Sequence, residues 1–171
     1  MMLDTQRSAR AVELIDSPAI VADLKALAAA HAGRELRTAV AQRLKSALTE
    51  ARTRAEDLLL KDRHGRHCAE RLCGMQDEII RILFEFAAGE LYPLQVRSQA
   101  ERMAVVATGG YGRGLLAPSS DIDLLFLLPY KQTAWGESVA EVLLYCLWTW
   151  ASRSGTPRAR STNASARPRR T

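Results

Sequence analysis

No apolar run in the 171 residues reaches the roughly 18 that a spanning helix needs. Met1–Arg10 also lacks the apolar stretch of a signal peptide. Cysteine is scarce: Cys68, Cys73 and Cys146 make an odd set of 3, which fits a reduced, cytoplasmic chain. These shortages exclude a membrane protein and a secreted disulfide scaffold. Aromatics are only 6% of the chain, but hydrophobic residues reach 47%, so most of it can bury a core of about one domain.

Residues 151–171 lack any acid and any Leu, Ile, Val, Met, Phe, Trp, Tyr or Cys, yet hold six arginines. The remaining 150 residues carry 18 bases against 19 acids, so the formal charge of +5 belongs to the tail. A basic nucleic-acid-binding face is therefore not supported for the body. Without large apolar side chains, 151–171 cannot offset its ordering entropy and is expected to be disordered.

What is present begins with helices. Ser17-Pro18 is a start signal, a capping hydroxyl followed by proline at the first helical position. The alanine- and leucine-rich run behind it closes at Gly33. A second helix carries Leu36, Val40, Leu44, Leu48, Ala51, Ala55 and Leu58 at spacings of three and four. Asp62-Arg63-His64-Gly65 interrupts it. The pattern resumes through Leu72, Met75, Ile79, Leu83 and Phe86, and ends near Gly89 and Pro93.

The pattern then changes. Met103–Thr108 reads as a short strand, and Gly109-Gly110-Tyr111-Gly112-Arg113-Gly114 as a tight turn rather than a regular element. Ile122–Leu128 is almost continuously apolar, as expected of a central strand covered on both faces. Trp135–Trp150 reads as a helix packed against it through Val139, Val142, Leu143, Leu147 and Trp150.

The chemistry concentrates in TGGYGRGLLAPSSDIDLLFLL, residues 108–128. Asp121 and Asp123 lie two apart on a strand, so both carboxylates leave the same face with Cα atoms roughly 7 Å apart. Such a pair can hold a hard divalent cation, and magnesium fits because it keeps positions for substrate phosphates. At Gly109 and Gly110 the absence of side chains lets backbone N–H groups approach phosphate oxygens. Ser120 can add a hydroxyl and Arg113 a positive charge. Alone, a Gly-Gly turn is usually only a turn and an Asp-x-Asp pair a solvated strand end. Together, with ten residues between Gly110 and Asp121 and a strand on each side, they suit nucleotidyl transfer.

His64, His67, Cys68 and Cys73 invite a zinc reading, but their spacing matches no common finger. On a helix the two cysteines point about 140° apart. A histidine pair at a helix break, with cysteines in the core, is the expectation. Arg52, Arg54, Arg63 and Arg66 alternate with Glu56, Asp57 and Asp62 as a solvated face.

The 108–128 stretch resembles the signature of the polymerase-beta-like nucleotidyltransferase superfamily, a Gly-Gly or Gly-Ser turn followed by Asp-x-Asp on a strand. More closely, GGYGRGLLAPSSDIDLLFLLP resembles the amino-terminal part of the bacterial PII uridylyltransferase family, bifunctional uridylyltransferase/uridylyl-removing enzymes of nitrogen sensing. MQDEIIRILFEFAAGELYP and AWGESVAEVLLYCLW are similar to that family's flanks, and the likeness spans roughly residues 50–150. Leu115 stands where the family usually has Glu, and Ser119 where it usually has Gly.

The resemblance implies an α+β fold: an N-terminal helical layer, then the incomplete first half of a nucleotidyltransferase α/β core, then the disordered tail. It divides the chain into a flexible start at 1–17, helices at 18–97, a partial core at 98–150 and the tail at 151–171. It implies UTP as substrate, Mg2+ as metal, and a tyrosine hydroxyl of the PII regulatory protein as acceptor. Asp121 and Asp123 would be the catalytic, metal-holding carboxylates, and Gly109, Gly110, Arg113 and Ser120 the nucleotide-contacting positions. Other readings stay open: an adenylyl-transferring relative, or a non-catalytic nucleotide- or partner-binding module.

The superfamily's third carboxylate has no counterpart after Glu141. The family's HD hydrolase and ACT domains also find none. The chain is therefore expected to be an amino-terminal fragment, inactive by itself, whose incomplete sheet leaves an unpaired edge prone to aggregation. The tail's composition is typical of a GC-rich gene read out of frame. One allowed codon choice for Thr149–Thr171, read a base earlier with a G restored, gives DLGLKVGHATRSVDECLRQAKAD, which resembles the family's continuation. Sequencing the coding DNA around codon 149 is expected to reveal the missing G; an intact frame there would refute the deletion.

Overall fold

The computed structural model describes residues 14–94, 101–118, 120, 122–128, 133–151 and 160–165, with 151 and 160–165 described by backbone alone. Helix α1 (Ser17–Ala30) is capped one residue earlier than the sequence suggests: the Asp16 carboxylate accepts from the Ala19 N–H at 3.0 Å. A carboxylate is the stronger acceptor for an orphan first-turn amide, and Pro18 loses nothing in the first turn. Gly33, expected to close α1, instead opens α2 (Gly33–Asp62) at φ +56°.

Helix α2 ends where the Asp62–Gly65 cluster is expected to break it. Arg63 adopts a left-handed conformation, and Asp62 accepts from the His64 N–H at 2.9 Å and from Arg71 at 2.7 Å. These bonds hold the Asp62 carboxyl below its usual pKa. Helix α3 (Gly65–Phe86) follows, running into a π turn at Ala87–Leu91. His64 and His67 stack with ring centroids 3.8 Å apart, while Cys68 and Cys73 are buried in the core.

The sheet begins with β1 (Ala104–Ala107). A single helical turn, α4 (Gly109–Gly112), leads from it towards β2 (Asp123–Leu128). Strand β2 pairs antiparallel with β1, with Ala107 opposite Leu124 and Val105 opposite Phe126. It is central, as expected, in the order β1-β2-β3. It is not covered on both faces, however. Leu124, Phe126 and Leu128 enter the core, whereas Leu127 is 37% exposed. The core joins the sheet to the helices through the first face, so alternation along the strand leaves Asp123, Leu125 and Leu127 on the other.

Helix α5 (Ala134–Ala151) buries Val139, Val142, Leu143, Leu147 and Trp150 as its pattern predicts. Its main partner is α2 rather than β2. The Trp150 indole donates to Ala41 O at 3.0 Å, Lys45 donates to Thr149 O at 2.9 Å, and Arg37 pairs with Glu141 at 3.1 Å. The α5 start meets the sheet at Gly136, where a Cβ would come within 2.9 Å of Leu128 Cδ2. No helix among the described residues is long and apolar enough to cross a membrane.

Within 151–171, expected to lack regular structure, Arg160–Ser165 forms β3, pairing parallel with β2 from Asp123↔Arg160 to Leu128↔Ser165. Strand pairing asks for backbone N–H and C=O groups rather than apolar side chains, and the second edge of β2 supplies them. A composition argument does not register that kind of attraction. Residues 1–13, 152–159 and 166–171 lie outside the described residues.

One polar side chain is anomalous. Gln76 on α3 is fully buried, and neither of its amide atoms has a hydrogen-bond partner among the described residues. An unsatisfied buried amide costs about 1–3 kcal/mol. Gln76→Met, similar in shape and unbranched, is expected to raise stability in urea by about 1–2 kcal/mol. A loss of stability would show that the amide is satisfied.

Candidate nucleotide site

The site grows out of the β1–β2 ladder. Beyond the Ala107–Leu124 pair the ladder continues for one more bond, from the Thr108 N–H to Asp123 O at 3.0 Å. Asp123 is thus fixed directly opposite the residue that introduces the glycines. The chain then turns sharply at Gly109, with φ +60°. The sequence reading of an irregular turn needs amending, because Gly109–Gly112 closes as one helical turn. Gly112 N–H donates to Thr108 O at 2.8 Å, Arg113 N–H to Gly110 O at 3.2 Å and Gly114 N–H to Tyr111 O at 2.9 Å. A helical turn satisfies more of these amides than a tight turn would.

Gly112 is demanded by space, against backbone, whereas Gly109 is demanded by its φ of +60°, since the Asp123 carboxylate end that a Cβ would meet can rotate. A Cβ on Gly109 would lie 2.6 Å from Asp123 Oδ2, and one on Gly112 would lie 2.6 Å from Ala107 O. Gly110 is freer: its Cβ would meet Leu115 O at 3.5 Å and Arg113 Nη2 at 3.9 Å. The turn therefore brings together a bare backbone, the Asp123 carboxylate and, beside Gly110, the Arg113 guanidinium. Leu115, the departure from the resembled family, is 48% exposed and donates its N–H to Gly110 O at 3.3 Å.

Ser120 is used locally. Its N–H donates to Ala117 O at 3.0 Å, and its Oγ accepts from the Ala117 N–H at 3.1 Å, so the hydroxyl braces the approach to β2. Asp121 and Ser119 lie outside the described residues. The hard oxygens of Asp123 beside a turn without side chains are the donor chemistry a magnesium ion takes. A surface hollow of about 480 Å³ elsewhere is lined by residues of α1–α2, among them His31, Arg34 and Glu35, and includes none of the glycine turn.

Sequence reasoning missed Tyr111 and Asp77. Tyr111 is 3% exposed, and its hydroxyl donates to Asp77 Oδ1 on α3 at 2.7 Å. Burial, and then the Asp77 charge, push the phenol well above its ordinary pKa. The signal was available: a large aromatic among four glycines has to be put somewhere, and the core is the place for it.

Residues 94–147 match the nucleotidyltransferase domain family. The chain is 60% identical to a bifunctional uridylyltransferase/uridylyl-removing enzyme of Bradyrhizobium diazoefficiens over 153 residues, 88% of this chain and 16% of that protein. It is 62% identical over 138 residues to the protein of the same name in Rhodopseudomonas palustris, covering 80% of this chain and 15% of that protein. The likeness to that of Nitrobacter winogradskyi is 56% over 173 residues, 99% of this chain and 19% of that protein. The chain thus spans less than a fifth of the length of these relatives. No solved structure matches.

Gly109→Ala is expected to lower stability by about 1–2 kcal/mol through left-handed strain. Gly110→Ala, with only an ordinary contact to meet, should stay within about 0.5 kcal/mol of the parent. Urea denaturation of the two variants side by side checks the contrast; equal effects would refute the left-handed strain at Gly109.

Proposed function

Because this chain is a homologue of the bifunctional uridylyltransferase/uridylyl-removing enzymes, with a nucleotidyltransferase domain at 94–147, we propose that it carries the UTP-binding part of a site that, in a full-length enzyme, transfers UMP to a tyrosine of a PII-type regulatory protein, and that it is inactive by itself. The observation that carries the proposal is the closure of the Gly109 backbone onto the Asp123 carboxylate across the β1–β2 pair.

The roles follow from the turn's bonding. The amides of Gly112, Arg113, Gly114 and Leu115 hold the shape of the turn. Gly109 and Gly110 lead it, and their bare backbone receives the phosphate oxygens. The Arg113 guanidinium, next to Gly110, adds a cation for the triphosphate. Asp121 and Asp123 would hold magnesium, which when bound neutralises charge on the triphosphate. In the full-length enzyme the acceptor phenol would lose its proton to water and form the new P–O bond at the α-phosphate, while the bond from that phosphorus to the α–β bridging oxygen breaks and pyrophosphate leaves. The β1–β2 ladder fixes Asp123 against the turn before any nucleotide arrives, so the site does not have to be organised during binding.

Calorimetry with the full chain tests the reading. Magnesium-dependent UTP binding is expected, weakened at least tenfold by Asp123→Asn with little change in melting temperature, and ATP is expected to bind more weakly. Preference for ATP would move the assignment to adenylyl transfer. Tight binding that never leads to labelling of a PII-type protein by a full-length relative carrying the same turn would favour a binding module. No magnesium-dependent binding would overturn the proposal.

A further inference from the structure

Two of the bonds that hold the glycine turn among the described residues are of different kinds. At its start, Thr108 is laddered to Asp123. In its middle, the Tyr111 side chain leaves the turn, is buried, and ends on Asp77 at 2.7 Å. Asp77 belongs to α3, 34 residues earlier in the chain, and that helix is seated in the core by its own Leu72, Cys73, Met75, Ile79 and Ile80. The direction of the bond is set: the phenol stays protonated and donates, and the carboxylate accepts.

Four glycines in six residues give this segment more backbone freedom to lose on ordering than almost any other composition. Something must offset that loss if the turn is to present a fixed surface. The bonds at Thr108 hold the start of the turn beside Asp123, and Tyr111 is the side-chain hold on its middle. Tyr111 is the one side chain within Gly109–Gly112, so its anchorage sets the tilt of the Gly109 and Gly110 backbone relative to the Asp123 carboxylate.

Resting on the nucleotide-binding reading above, we infer that the Tyr111–Asp77 hydrogen bond is the device by which the helical layer holds the glycine turn in register with Asp123, making Asp77 a positioning residue for the triphosphate. The helices are then part of the site's construction. Neither side chain touches the nucleotide; Asp77 acts through Tyr111, and Tyr111 through its own backbone.

Tyr111→Phe removes the hydroxyl while keeping the buried ring, and Asp77→Asn keeps an acceptor oxygen at the same place. In the full chain, Tyr111→Phe is expected to weaken magnesium-dependent UTP binding about fivefold to tenfold, the size of one lost hydrogen bond. Amide hydrogen exchange at Gly112, Arg113 and Gly114 should quicken, while exchange in α2 stays at the parent rate. Asp77→Asn should bind UTP within about twofold of the parent, as an acceptor-only role requires. Unchanged binding and exchange in Tyr111→Phe would overturn the inference and leave the functional proposal standing. Exchange that quickens equally throughout α2 and α3 would also overturn it, by reducing the pair to a general fold contact. If the parent chain binds no UTP, both readings fall together.

Discussion

Everything at the candidate site depends on how closely one piece of backbone approaches one carboxylate. With Gly109 in a left-handed conformation and the Asp123 carboxylate lying against it, turn and strand share a single surface. The ladder bond from Thr108 to Asp123 O sets the start of the turn beside that residue. Remove the closeness and what is left is a hairpin-like pair of strands with an acid at one end. Because it is imposed by backbone pairing, it is in place before any ligand arrives.

The helices and the sheet are usually described as separate layers, yet here they are joined at functional points. Trp135 donates its indole N–H to Tyr92 O, just after the π turn, and Tyr92 receives the Arg37 guanidinium at 2.6 Å on its hydroxyl. Arg37 also reaches Glu141 on α5. These bonds tie α2, the end of α3 and α5 into one frame, and the core that the helices share with Leu124 and Phe126 fixes the height at which the strand, and hence Asp123, sits.

Much of this was readable from residue order because local chemistry and tertiary context agree. The spacing of Leu36, Val40, Leu44 and Leu48 describes the buried face of α2, and Asp62–Gly65 marks its end. The conjunction of Gly109-Gly110 with Asp123 at a strand start was likewise visible, since backbone access and carboxylate alternation are properties of the sequence itself. What escaped depends on the third dimension. An unbroken apolar strand could not reveal that Leu127 faces outward, because burial on the second face depends on what packs there. The choice of α2 over β2 as the seat of α5 was hidden for the same reason. The pairing of Arg160–Ser165 with β2 rests on backbone groups that every residue carries, so side-chain composition was silent about it. Asp77 carries no signal of its own in the sequence, because the hydroxyl it receives comes from Tyr111, 34 residues away.

The bond from Trp150 to Ala41 closes a loop of 109 residues. On a ribosome adding roughly 5–20 residues per second, α2 therefore waits on the order of 5–20 s for the helix that covers it. Val40, Ala41 and Leu44, completely buried in the finished fold, spend that interval without α5 over them. The early part of this chain therefore carries exposed apolar surface until α5 is made. How well it is produced in a cell will depend on the speed of translation between codons 41 and 150 as well as on the stability of the final product.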